Sequence, residues 1–154
     1  MRRRLIYLVS VVAALILIQF IRPEKNLGEP DTETDFIRVS QVPDTLASVI
    51  LNSCYDCHSN HTHYPWYGKV AQLSWYLNRH IEEGKAHLDF SSWGIMDKAK
   101  KITQLDQICE ECTSGSMPLN SYLWIHRSSK LSEQDIQVIC KWAESEALEI
   151  MTGE

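Results

Sequence analysis

Positive charge is scarce beyond the first 22 residues. The 154-residue chain carries 15 lysines and arginines against 20 aspartates and glutamates. Removing Arg2, Arg3, Arg4 and Arg22 leaves 11 basic residues against the same 20 acidic ones, a formal charge of −9 on the remainder. Charge repulsion makes such a surface a poor match for nucleic acid or an anionic membrane surface, and it suits a basic protein partner. No stretch shows a convincing period of two, which argues against a β-sheet domain. No internal repeat is apparent, which excludes a solenoid or propeller array. At this length a single domain is expected.

The first 22 residues differ from the rest. Arg2, Arg3 and Arg4 precede an uncharged run from Leu5 to Ile21, closed by Arg22 and Pro23. As a helix that run spans roughly 25 Å, against a hydrocarbon core of about 30 Å. A cleaved signal peptide is the rival reading, but its apolar middle is usually shorter and no small-x-small cleavage site follows Ile21. The expectation is a single N-terminal transmembrane helix over residues 1–22, anchoring a single-pass protein in a bacterial inner membrane. The arginines hold the N-terminus in the cytoplasm and send residues 23–154 to the periplasm. Residues 23–39, rich in acids with Gly28 and Pro30, read as a polar tether. Residues 40–154 form the domain.

Within that domain, apolar spacing predicts only helices. One starts at Pro43-Asp44, with Asp44 as cap and Leu46, Val49 and Ile50 on one face. A second covers Lys69 to Glu83, with Gly84 ending it. A third runs from about Ile95 to Cys112. The last begins at Ser132, whose Asp135 three residues on completes an imperfect capping box. The domain is therefore all-α.

The chemistry lies in Cys54-Tyr55-Asp56-Cys57-His58, a Cys-x-x-Cys-His motif of the kind that attaches c-type haem. Two thiols three residues apart each add to one haem vinyl group, and the next residue, His58, is held under the ring as proximal iron ligand. A zinc half-site or redox disulfide is the bland alternative for the same spacing. For the sixth position the best candidate is Met117, in a loop that Pro118 stiffens. A thioether favours ferrous iron and raises the potential, although methionine more commonly fills a core gap. Of the other histidines, His61 and His63 lie too close to His58 in sequence to reach the opposite face easily. His80 is the spare ligand, His87 a weaker rival, and His126 a possible donor to a haem propionate. Cys109-Glu110-Glu111-Cys112 is a second Cys-x-x-Cys without a histidine. It is a buried helix face, a disulfide, or a metal site with Cys140.

These residues carry a resemblance. Cys54 to Asn60, Thr62, and Tyr64-Pro65-Trp66-Tyr67 resemble the haem-binding domain family of bacterial cytochrome c-like proteins. So do Gly84, His87-Leu88, Phe90-Ser91, Trp93, Met117-Pro118-Leu119, Tyr122, His126 and Lys130-Leu131-Ser132. The resemblance spans about residues 40–145. It implies a cytochrome c-like helical domain around one covalent haem c, usually exported and often anchored. By position, it implies Cys54 and Cys57 as thioether sites, and His58 and Met117 as iron ligands. Asp89 stands where the family usually shows asparagine, and the cysteine pair at 109 and 112 is outside the pattern. The expected function is electron transfer to a redox partner on the periplasmic side. A haem-based sensor or peroxidase-like enzyme with a displaceable distal ligand is the alternative, and a thiol-disulfide protein using Cys109 and Cys112 a third.

Overall fold

A computed structural model describes residues 2–30 and 32–153. The described residues form helices and short 3-10 turns with no strand, apart from one isolated bridge between Leu27 and His61. The helices are α1 (Arg2–Ile18), α2 (Phe36–Val39), α3 (Asp44–Ser53), α4 (Tyr55–His58), α5 (Ala71–His87), α6 (Lys98–Thr113), α7 (Asn120–Leu123) and α8 (Glu133–Thr152). The all-α expectation holds.

Helix α1 corrects the expectation of a transmembrane helix. It stops at Ile18 and spends its first three positions on arginine. The apolar part from Leu5 to Ile18 spans roughly 21 Å, too little for a hydrocarbon core of about 30 Å. Among the described residues no helix is long and apolar enough to cross a membrane. The helix buries none of its residues. Its end meets the domain through Gln19, whose side-chain oxygen accepts from the Ala71 N–H at 3.0 Å, and Ile21, whose carbonyl accepts from Trp75 Nε1 at 3.0 Å.

The stretch expected as a free tether is largely packed down. Asp31 lies outside the described residues. Gly28 N–H donates to the Asn60 carbonyl at 2.7 Å, and Asn26 Nδ2 to the Ser59 carbonyl at 2.8 Å. Asp35 caps α2, accepting from the Ile37 N–H, and Phe36 enters the core at 1 % exposure. Phe36 is the hub of an aromatic cluster. Its ring centroid lies 4.8 Å from that of Phe90, 4.7 Å from Trp93 and 5.5 Å from Trp142. The buried Trp93 indole donates to Ser40 Oγ at 3.0 Å, which removes the cost of its polar N–H.

Helix α3 starts where expected, but Pro43 rather than Asp44 is its N-cap and no side chain caps it. Leu46, Ala47 and Ile50 form its buried face. Helix α5 does not end at Gly84. It continues to His87, because Gly84 packs against another segment instead of turning the chain. Helix α6 begins after a 3-10 segment, Phe90–Ile95, with Asp97 as its cap. The capping box of Ser132 and Asp135 is present at the start of α8.

Helices α6 and α8 pack along each other and are joined by a disulfide between Cys109 and Cys140. The second Cys-x-x-Cys is thus divided. Cys109 pairs with α8, whereas Cys112 is a buried free thiol. No group of three or more His, Cys, Asp or Glu is placed to hold a metal ion among the described residues. A cross-link over 31 residues restricts the unfolded chain by about 3–4 kcal/mol. The double variant Cys109→Ser/Cys140→Ser is expected to lose about that much unfolding free energy in urea titration, with little change of helix content.

Candidate functional site

The haem motif is one helical turn inserted between α3 and the loop that follows. Cys54 ends α3, its N–H donating to the Ile50 carbonyl. The Cys54 carbonyl then accepts from both Cys57 N–H at 3.2 Å and His58 N–H at 3.1 Å. That turn brings the two thiols and the imidazole into a single loop of backbone. Ser59, 2 % exposed, closes it by donating from Oγ to the Tyr55 carbonyl at 2.8 Å. Thr62 Oγ1 donates to the Asp56 carbonyl at 2.6 Å.

The two residues between the cysteines point opposite ways. Tyr55 goes inward. Its ring stacks on Phe90 at 5.0 Å and 10°, and its hydroxyl donates to Asp35 Oδ1 at 2.9 Å. Asp56 goes the other way. Its Oδ2 accepts from the Tyr122 hydroxyl at 2.8 Å, and its Oδ1 accepts from the His63 N–H at 3.0 Å. Burial and the nearby Asp56 charge both raise the Tyr122 pKa, so the phenol stays protonated and remains a donor.

Helix α5 is the platform. At Gly84 it touches the motif so closely that an added Cβ would sit 2.7 Å from the Cys57 carbonyl oxygen. The chain leaves the helix at Leu88, whose N–H donates to the Gly84 carbonyl. The Leu88 carbonyl meets His58 Nδ1 at 3.0 Å. A carbonyl only accepts, so this bond requires the proton on Nδ1 and leaves the lone pair on Nε2. Burial lowers the His58 pKa, outweighing the neighbouring backbone bonds, so the ring is neutral. A neutral imidazole with its Nδ1 proton held by a carbonyl is ready to bind a metal through Nε2.

Both thiols are free. Burial pushes Cys54 up to about 12, helped by Cys112 and Cys57, and pushes Cys57 up to about 11. Thiols held this way stay protonated at neutral pH and resist oxidation.

A comparison with known families decides what this arrangement serves. The family described as Haem-binding domain matches residues 13–145. The chain belongs to that family. No curated protein and no solved structure matches it. The cofactor of this haem-binding domain is therefore haem, and the donor set fits it. Reduced thiols at thioether spacing and a neutral histidine with Nε2 unclaimed are what a haem would need from the chain.

The structure of the haem-binding domain places the remaining candidates as follows. Met117 is half-buried in the turn after α6, and its N–H donates to the Glu111 carbonyl at 3.1 Å. Pro118 beside it is buried. His80 turns back on its own helix, with Nδ1 at 2.8 Å from the Tyr76 carbonyl. His61 Nδ1 lies 2.9 Å from the Gly28 carbonyl, and His63 is held by Asp56. His126 pairs with the Tyr67 hydroxyl at 3.0 Å. Sequence reading missed Asp56, Tyr67 and the Leu88 carbonyl. The first two sit inside or beside the motif as ordinary polar residues, and a backbone acceptor leaves no mark in a sequence.

Gly84 provides a direct test of this packing. Alanine normally gains about 1 kcal/mol over glycine inside a helix. Here the methyl would meet backbone, which cannot swing aside, so Gly84→Ala is expected to cost about 1–3 kcal/mol in chemical denaturation. A gain in stability would show that α5 does not rest on the Cys57 carbonyl.

Proposed function

We propose that this haem-binding domain holds one haem c, attached covalently through Cys54 and Cys57, and passes single electrons to a partner protein. The observation that carries the reading is the Nδ1 bond of His58 to the Leu88 carbonyl, beside two free thiols. His58 binds the iron through Nε2, and its bond to Leu88 sets the ring's orientation and raises its basicity. Met117 is the distal ligand, a soft thioether that favours the reduced metal. Bound haem supplies a one-electron ferric–ferrous couple. The chain's part is to fill both axial positions, so that small ligands are kept off and electrons leave through the porphyrin edge.

The domain works outside the cytoplasm in this reading. The Cys109–Cys140 disulfide supports an oxidising compartment. The bare apolar surface of α1 suits association with lipid. The −9 charge beyond Arg22 suits a basic electron-transfer partner.

Two measurements test the proposal. Acid-acetone extraction is expected to leave the haem colour with the denatured protein, whose mass rises by one haem. Haem that passes cleanly into the solvent overturns covalent attachment. Met117→Ala is expected to keep the covalent haem, abolish the weak red-end band of thioether-ligated ferric iron, lower the potential and admit carbon monoxide. An unchanged spectrum and potential would move the distal ligand elsewhere, with His80 the first residue to examine. A wild-type protein that already binds carbon monoxide readily would instead favour a sensor or a peroxidase-like enzyme.

A further inference from the structure

The segment from Met117 to Ser129 crosses the face of the haem motif as a strap. Both ends are fixed by burial, Pro118 at the start and Ser129, 2 % exposed, at the finish. Its middle is not. Helix α7 buries none of its residues, and Trp124 and Ile125 are 79 % and 58 % exposed. Beneath the strap lies a cavity of about 710 Å³, lined by Asp56, Tyr64, Tyr122 and His126 among others. Apolar packing therefore does little to hold the strap's middle in place. Polar links do that work.

There are three. Tyr122 donates to Asp56 Oδ2 at 2.8 Å. His126, stacked flat on Tyr122 at 4.2 Å and 5°, meets the Tyr67 hydroxyl at 3.0 Å. Asn52 Nδ2 donates to the Ser128 carbonyl at 2.7 Å. Of these, only the first joins the strap to the haem motif itself, because Asp56 lies between Cys54 and Cys57. It is also the link to a carboxylate, and hydrogen bonds to charged groups are the stronger class.

We infer that Tyr122, through its hydrogen bond to Asp56, is the positioning residue that holds the Met117 thioether on the iron. The inference rests on Met117 as distal ligand. Only Pro118, Leu119 and the first two residues of α7, Asn120 and Ser121, separate Met117 from Tyr122, so the turn that presents the sulfur is held at its far end by this bond. The same residue that spaces the two thioether cysteines thus sets the opposite axial side. When the bond is lost, the strap's middle is free to lift, the thioether spends more time off the iron, and the site opens to small ligands.

The variant to make is Tyr122→Phe in the full chain carrying haem. It keeps the ring that stacks on His126 and removes the hydroxyl, which donates to Asp56 and also meets the Ser129 side chain. The expected result is a weaker thioether band, a lower potential and carbon monoxide binding about tenfold tighter, the scale of one hydrogen bond to a charged group. Covalent haem content should be unchanged. Asp56→Ala should give the same spectral change, and the double variant no more than either alone. In chain made without haem, Tyr122→Phe should speed amide hydrogen exchange over residues 117–126 by about tenfold, a readout that needs no cofactor. If Met117→Ala abolishes the band while Tyr122→Phe leaves band, potential and carbon monoxide binding at wild-type values, this inference is overturned and the ligand assignment stands. If Met117→Ala leaves the band intact, the ligand assignment falls and takes this inference with it. Unchanged hydrogen exchange in the haem-free variant would also overturn it.

Discussion

One hydrogen bond sets the chemistry of the site, that of His58 Nδ1 to the carbonyl of Leu88. It fixes which ring nitrogen carries the proton, and so which one keeps a lone pair free for a metal. Its geometry depends on the whole length of α5. The Leu88 carbonyl is presented where the chain leaves that helix, and the helix is seated on the motif at Gly84. The platform at its other end is tied to residues 19–21, through Gln19 and the Ile21 carbonyl. The His58 side of the motif is therefore built by one long helix held at both ends.

The motif's own turn links that platform to everything else. Adjacent positions on a helix differ by about 100°, so Tyr55 and Asp56 must face different surroundings. Tyr55 locks the turn to the aromatic core through Phe90 and Asp35. Asp56 reaches across to the strap. With Tyr55 and Asp56 lying between the two thiols, the motif is held from two directions, which leaves its loop of backbone little freedom before any cofactor arrives. Such preorganisation lowers the ordering cost of binding.

The sequence made the motif legible because Cys-x-x-Cys-His is a fixed local spacing, and it made α8 legible because a capping box is a local pattern. Other features were set by contacts between distant residues. Gly84 looked like a helix stop, since glycine commonly ends helices in the left-handed conformation. Here its missing Cβ serves a close approach to the Cys57 carbonyl instead. Residues 23–39 read as a tether from their acids, yet one phenylalanine, Phe36, was enough to draw the stretch into the core. For residues 1–22, composition alone suggested a membrane span. The helix that forms is shorter than the apolar run, because it breaks at Ile18 where Gln19 turns to meet α5.

The five cysteines show how one fold sorts identical side chains. Cys109 and Cys112 lie three positions apart on α6, yet meet different neighbours. Cys109 faces α8 and finds Cys140. Cys112, 5 % exposed, lies in the core near Cys54, and an ionised Cys112 would raise the Cys54 pKa further. Burial pushes Cys112 up to about 11, as it does Cys57. At neutral pH a thiol with a pKa near 11 is ionised in only about one molecule in ten thousand, and the thiolate is the species that exchanges with disulfides. The cross-link between α6 and α8 therefore coexists with three reduced thiols. Chain order gives no such separation, because Cys109 and Cys112 are near neighbours there. Helix faces and burial impose it, and they keep Cys54 and Cys57 as free thiols beside a formed disulfide.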